Sequence, residues 1–137
     1  MNKSRVLALG VALAMGLSSV AALAAGDAKK GASVFKGRCS VCHTVDKGGK
    51  KKSGPNLFGI YGNKPGLSKA YKYSPSYKQA ADKGLLWNDE AIAEYLVDPR
   101  KFMRKASGDA KGRSKMSYKL KKAAERDDVI AYLKTQK

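Results

Sequence analysis

Cys39-Ser40-Val41-Cys42-His43 contains both cysteines and the single histidine of this 137-residue chain. Two residues between the cysteines are compatible with a disulfide, the common outcome in an oxidising compartment, or with a redox-active dithiol. A zinc site would need about four such ligands, and the chain has no further Cys or His. The residue that follows Cys42 adds a further interpretation besides the disulfide and the dithiol.

His43 completes the pattern Cys-x-x-Cys-His, which is typical of covalent haem attachment. Both sulfurs of such a turn can bond to the porphyrin edge, while the adjacent imidazole lies beneath the ring and binds the iron. The motif therefore predicts one covalent haem c, held by Cys39 and Cys42, with His43 as an iron ligand. A disulfide or dithiol stays the alternative, so the rest of the chain must support the haem.

Residues 1–24 have the pattern of an export signal. Lys3 and Arg5 give a positive start, an apolar run extends from Val6 to Met15, and Ala22-Leu23-Ala24 supplies a small-x-small cleavage site. The alternative is an uncleaved membrane anchor, but the apolar run is short and contains a glycine. We therefore expect a cleaved signal peptide and a periplasmic protein without stable membrane insertion.

The remaining residues, 25–137, suit a single domain. The whole chain has 28 Lys and Arg against 11 Asp and Glu, a formal net charge of +17. Loss of residues 1–24 removes Lys3 and Arg5 and lowers that charge to +15. A positive excess attracts acidic proteins, anionic membranes or nucleic acid. Since an exported protein seldom meets nucleic acid, we expect an acidic protein or membrane surface as the partner.

Capping residues and apolar spacing predict helices, and no alternating strand pattern is found. The predicted helices run from a cap at Asp27 to about Arg38, from a cap at Ser74 to about Ala81, from a cap at Asn88 to Asp98, and from Ala123 to about Lys134. Residues 44–66 and 100–122 are predicted to be loops, the second starting after Pro99 stops the third helix. Large apolar residues are few, and a haem would complete the thin core.

Two methionines are candidates for the second iron ligand. Residues 100–122 hold ten basic residues and one acid, and Met116 lies among them. An apolar, polarisable side chain in such a loop needs an apolar destination, and haem iron is one. Met103 is the rival ligand or a core residue. Pro55 can accept a hydrogen bond from the far nitrogen of a ligating histidine, or be an ordinary turn proline.

Taken together, these residues resemble the class I c-type cytochromes from about Gly26 to Lys134, and most closely the bacterial c-two cytochromes. The matching segments are Gly31-x-x-x-Phe35, Cys39 to His43, Gly54-Pro55-Asn56-Leu57, Glu94-Tyr95-Leu96, Pro99, Lys115-Met116 and Ile130-Ala131-Tyr132-Leu133. The resemblance implies an all-α, single-domain cytochrome c fold in which several helices surround one covalent haem. It also implies that the first and last helices pack together through Gly31, Phe35 and Tyr132.

The resemblance further implies the ligand set. Cys39 and Cys42 would hold the haem through thioethers, His43 and Met116 would be the two axial ligands, and the carbonyl of Pro55 would hold His43.

Other positions are matched around the haem. Tyr73 and Trp87 match positions that bind haem propionates, and Tyr95 matches one beside the ligand methionine. The chain departs from the family pattern at Asn63, where many relatives have an arginine near a propionate, and at Lys51, where many have a loop-bridging histidine. These departures put the propionate environment in doubt.

The function implied is one-electron transfer and not enzymatic catalysis, because two protein ligands leave the iron no open site. A docking ring of basic residues would surround the exposed haem edge: Arg38, Lys50, Lys52, Arg100, Lys101, Lys115, Lys121 and Lys122. The expected partners of the monomer are acidic electron-transfer proteins or membrane complexes, namely a quinol–cytochrome c reductase and a photosynthetic reaction centre or oxidase. The alternative is a haem enzyme or ligand sensor with a displaceable methionine.

Overall fold

The computed structural model describes residues 25–137, so the predicted signal peptide lies outside the described residues. The helices are α1 (Ala28–Val34), which continues into a π-helical turn (Phe35–Cys39), α2 (Pro75–Asp82), α3 (Asp89–Val97), α4 (Pro99–Ser107) and α5 (Ala123–Thr135). No strand occurs between residues 25 and 137. In that same part of the chain, no helix is both long enough and apolar enough to cross a membrane. The all-α prediction is confirmed.

The first and last helices pack together, as expected. A Cβ at Gly31 would overlap the carbonyl oxygen of Asp128, so the absence of a side chain allows α1 and α5 to approach closely. Next to this contact the rings of Phe35 and Tyr132 lie 5.6 Å apart between centroids. The predicted cap of α1 is also present, since the Asp27 carboxylate accepts hydrogen bonds from the next backbone N–H groups of the helix.

The prediction for the start of α2 is only partly right. Ser74 occupies the cap position, but its hydroxyl makes no bond to the helix. It donates instead to the carbonyl oxygen of Arg113 at 2.5 Å. The fixed φ of Pro75 at the first helical position favours the helix without a side-chain cap.

The prediction that residues after Pro99 form a loop is wrong for Arg100–Ser107, which belong to α4. Pro99 ends α3 but is also the first residue of α4, where its missing N–H costs nothing. The Asp98 carboxylate caps the new helix by accepting from the Lys101 N–H at 3.0 Å. A proline that stops one helix therefore starts the next.

The basic composition of α4 concealed its buried face. Phe102 and Met103 are 4% and 0% exposed, while the arginines and lysines of the helix face outwards. Gly108, with φ of 69°, ends the helix in the left-handed conformation that glycine adopts readily. Met103 is therefore a core residue, the second of the two roles considered for it.

Candidate functional site

An apolar cavity of about 290 Å³ lies between the turn at 39–43, the loop around Pro55, α3, α5 and the segment before α5. Its wall includes every residue predicted to bind the haem: Cys39, Cys42, His43, Pro55, Tyr73, Trp87, Tyr95 and Met116. Met103 does not line it. The fold thus brings to one place residues that span most of the described chain, and it separates the two candidate methionines.

The two cysteines are free thiols on one tight turn. The N–H groups of Cys42 and His43 both donate to the carbonyl of Cys39, at 3.0 and 2.9 Å. Burial, together with the nearby Cys42, raises the pKa of Cys39 to about 11. Catalytic dithiols have lowered thiol pKa values, so this environment disfavours the dithiol alternative.

The imidazole of His43 is fixed from one side. Its Nδ1 donates to the carbonyl oxygen of Pro55 at 2.8 Å, which leaves Nε2 unprotonated. Nε2 makes no hydrogen bond within residues 25–137. Burial lowers the pKa of His43, the Pro55 contact opposes this shift, and Lys52 adds to it. The ring is therefore neutral near pH 7 and presents a free nitrogen lone pair, as a metal ligand must.

Gly54 explains how the ring reaches this position. A Cβ built on Gly54 would lie 2.7 Å from Nδ1 and 2.9 Å from Nε2 of His43. Only a glycine allows the imidazole to pack directly on the backbone here. Gly54 stands in one of the segments that match the family, but its steric role carried no separate sequence signal.

Met116 is half-buried in a segment without regular structure. Its N–H donates to the hydroxyl oxygen of Ser114 at 3.1 Å, and that hydroxyl is hydrogen-bonded to the hydroxyl of Tyr95 at 2.8 Å. Tyr95 is in turn hydrogen-bonded to Tyr77. Burial raises the pKa of both tyrosines, so both hydroxyls stay protonated. Tyr95 lies beside the methionine segment as expected, whereas the part played by Tyr77 carried no sequence signal.

The remaining aromatic positions also face the cavity. The hydroxyl of Tyr73 accepts from the N–H of Ser68 at 3.3 Å, and Trp87 is only 8% exposed. Asn63 lies outside the cavity wall, where its side chain donates to Gly59 at 2.6 Å. Lys51 is exposed and also lies outside that wall.

The predicted docking residues lie on the surface of the protein. All of them are exposed, but only Arg38 and Lys115 line the cavity mouth; the others are Lys50, Lys52, Arg100, Lys101, Lys121 and Lys122. Lys122 forms an ion pair with Glu125 at 3.2 Å. Apolar side chains share the mouth: Val41, Leu67 and Tyr118 are 81%, 48% and 42% exposed.

The donor set fits a covalent haem. One apolar cavity holds two free thiols, a neutral imidazole with one uncommitted nitrogen, and a thioether. Imidazole and thioether are the axial pair of cytochromes c. Within residues 25–137, no cluster of His, Cys, Asp and Glu could hold a separate metal ion. The chemistry of the site is therefore that of haem attachment.

The chain is similar to known proteins along most of its length. The sequence model of the family described as cytochrome c matches residues 28–137. The chain is 52% identical to cytochrome c-550 of Novispirillum itersonii over 112 residues, which cover 82% of this chain and 100% of that protein. It is 48% identical to cytochrome c2 of Rhodospirillum rubrum over 135 residues, or 98% and 99% of the two chains.

The fold is likewise similar to solved structures. Cytochrome c2 from Rhodospirillum centenum superposes with a TM-score of 0.76 at 40% identity, covering 81% of this chain and 98% of that one. Cytochrome c2 from Rhodobacter sphaeroides gives a TM-score of 0.74 at 39% identity, covering 81% and 96%. The chain therefore belongs to the cytochrome c family, carries one covalently bound haem c and is an electron-carrier cytochrome.

Proposed function

We propose that this chain is a periplasmic one-electron shuttle in which His43 and Met116 are the axial ligands of the haem iron and Cys39 and Cys42 attach the haem. The observation that carries the proposal is that His43 and Met116 line one cavity while Met103 does not. When bound, the haem supplies an iron that gains and loses one electron. With His43 and Met116 as its two protein ligands, the iron would have no open site for a substrate.

His43 and Met116 also set the redox properties. A thioether opposite an imidazole favours the ferrous state and raises the potential. The apolar wall disfavours the additional charge of the ferric state and acts in the same direction. The hydrogen bond from His43 to Pro55 fixes the ring in either oxidation state, so little rearrangement accompanies electron transfer.

Tyr73 and Trp87 are proposed to bind the propionates. Both side chains line the cavity. A tyrosine hydroxyl and an indole N–H can each donate a hydrogen bond to an anionic oxygen. Asn63 lies outside the cavity wall.

The cavity mouth is proposed as the docking surface for an acidic partner. Exposed Val41, Leu67 and Tyr118 contribute apolar surface to the mouth, and Arg38 and Lys115 contribute positive charge. Transient electron-transfer interfaces are small, with an apolar core and a polar rim. Opposite charges on the two partners would speed encounter. A quinol–cytochrome c reductase as electron donor, and a reaction centre or oxidase as acceptor, fit this role.

The composition of the cavity wall favours electron transfer over enzymatic catalysis or ligand sensing. Within residues 25–137 it contains no Asp, no Glu and no histidine besides His43. An enzyme of the peroxidase type needs a distal acid–base group, and none faces the cavity. The periplasmic location rests on the leader-like residues 1–24, most of which fall inside the 135-residue match to Rhodospirillum rubrum cytochrome c2.

The test is the visible spectrum of protein exported with its leader. We expect haem that stays on the denatured chain, a sulfur-to-iron band in the ferric state, and no carbon monoxide binding by the ferrous state at neutral pH. A spectrum without the sulfur-to-iron band would contradict ligation by Met116. Ready binding of carbon monoxide would support the haem enzyme or sensor instead.

A further inference from the structure

The four residues that end at Met116 are tied to a segment that lies far away in the chain. Residues 113–121 form no helix, so their backbone groups need partners elsewhere. Those partners come from residues 71–77, which include the start of α2, and from α3.

Two serines hold both backbone groups of Arg113. The hydroxyl of Ser74 donates to the Arg113 carbonyl oxygen at 2.5 Å, and the N–H of Arg113 donates to the hydroxyl oxygen of Ser76 at 2.9 Å. Both serines are buried, at 8% and 4% exposure. Since the Ser74 hydroxyl does not cap its own helix, the contact to Arg113 accounts for its burial. Buried hydrogen bonds on both sides of one residue fix its position closely.

The next two residues are held as well. The Ser114 hydroxyl is bonded to that of Tyr95 at 2.8 Å. The ammonium of Lys115 donates to the carbonyl oxygen of Lys72 and lies 5.5 Å from the ring centroid of Tyr71. Every residue from Arg113 to Lys115 is thus anchored.

Fewer contacts hold the residues directly after Met116. Ser117 and Tyr118 are exposed, and the first contacts that follow are the 2.5 Å ion pair of Lys119 with Asp98 and the 2.8 Å hydrogen bond from the N–H of Leu120 to the carbonyl of Leu96. The contacts next to Met116 in the chain are therefore those of the anchor that precedes it.

We propose that Ser74 and Ser76 are positioning residues for Met116. The start of α2 clamps Arg113, keeps the Met116 thioether in the cavity and so limits its exchange with outside ligands. This inference rests on the proposed ligation of the iron by Met116.

The test is a titration of the ferric protein with imidazole as a competing iron ligand. Binding is measured by the loss of the sulfur-to-iron band. In Ser74→Ala/Ser76→Ala we expect imidazole affinity to rise about tenfold, because two hydrogen bonds no longer oppose the opening of the segment. Ser74→Thr, which keeps the hydroxyl, should behave as the unaltered protein.

Ser107→Ala is the matched control. Ser107 is also 4% exposed, and its hydroxyl accepts from the N–H of Asp109 at 3.3 Å but forms no hydrogen bond with residues 113–116. Its imidazole affinity should stay unchanged. An equal rise in Ser107→Ala would indicate general loosening and overturn the clamp, as would an unchanged affinity in the double variant.

Two further outcomes keep the test decisive. If the double variant does not accumulate, each single alanine variant is measured, and an unchanged affinity in both overturns the proposal. If the unaltered protein itself lacks the sulfur-to-iron band, the proposed function fails before the clamp is tested.

Discussion

The imidazole of His43 packs directly against Gly54, so closely that a Cβ added at Gly54 would lie 2.7 Å from its Nδ1. The residue that follows, Pro55, accepts the hydrogen bond from that same nitrogen at 2.8 Å. Two consecutive residues thus fix both the location and the tautomer of the ring. Glycine leaves the room, and proline provides the acceptor.

Gly54→Ala should move the imidazole out of position. We expect a loss of about 1–3 kcal/mol in the free energy of unfolding, as for other overpacked sites, together with a reduced yield of haem-loaded protein. Denaturant unfolding and the ferric spectrum measure the two effects. Ser53→Ala, at an exposed neighbour on the same cavity wall, is the control and should change neither. A normal spectrum and stability for Gly54→Ala would show that the ring does not depend on this contact.

Met116→Leu and Met103→Leu form a pair that separates ligation from packing. Met116→Leu should lose the sulfur-to-iron band while keeping its covalent haem. Met103 is fully buried in α4. The Met103→Leu variant should keep the sulfur-to-iron band, and its free energy of unfolding should fall by less than about 1.5 kcal/mol because the change nearly conserves side-chain volume. The ferric spectrum and thermal unfolding of both variants provide the measurement. Loss of the band in Met103→Leu alone would reverse the assignment.

Arg38→Glu should slow electron exchange with an acidic partner. Arg38 is exposed and lines the cavity mouth, and reversing its charge opposes the encounter field, so the second-order rate at low salt should fall several-fold. Added salt should reduce the difference, because screening acts over about 10 Å at 0.1 M. Lys111→Glu makes the same charge change at an exposed site outside the mouth. Equal slowing in both variants would mean that net charge alone matters.

Asp89 should make stability depend on pH in the acid range. Its carboxylate is 2.6 Å from the ammonium of Lys134 and accepts from the Tyr61 hydroxyl at 2.7 Å. The Lys134 contact lowers the pKa of Asp89 in the folded state. A lowered folded pKa contributes stability above the unfolded value of about 3.9, and the contribution disappears as the pH falls through the folded pKa.

Asp89→Asn should therefore be less stable than the unaltered protein above about pH 5 and equally stable near pH 2. The difference should be at most about 1 kcal/mol because the pair is largely exposed. Glu90→Gln removes a neighbouring charge from the same first turn of α3. Its effect on the free energy of unfolding should be smaller, because the ion pair between Asp89 and Lys134 stays intact. Denaturant unfolding across this pH range decides. A pH-independent difference for Asp89→Asn would rule out the titration.

The features that were predictable from sequence depend on neighbours in the chain. The cap at Asp27 and the turn from Cys39 to His43 involve contacts over a few residues. The packing of Gly31 against α5 was found only because the family pattern preserves it.

The features that were missed depend on distant or ambiguous signals. Pro99 ends α3 and begins α4, so the prediction that it ends a helix was correct but the helix that follows was not predicted. Ser74 fits a helix cap by type, yet its hydroxyl bonds to a residue 39 positions away.

The turn in which the backbone N–H of His43 donates to the carbonyl of Cys39 places both proposed attachment points and one proposed ligand within five consecutive residues. A cofactor held covalently at such a turn stays with the chain when the chain unfolds. Folding then involves a single molecule that already includes the cofactor. Its equilibrium does not shift with the concentration of free haem, whereas mass action would shift it for a ligand that can dissociate. Dilution cannot remove the haem from this protein, and each refolding event begins with the cofactor already attached.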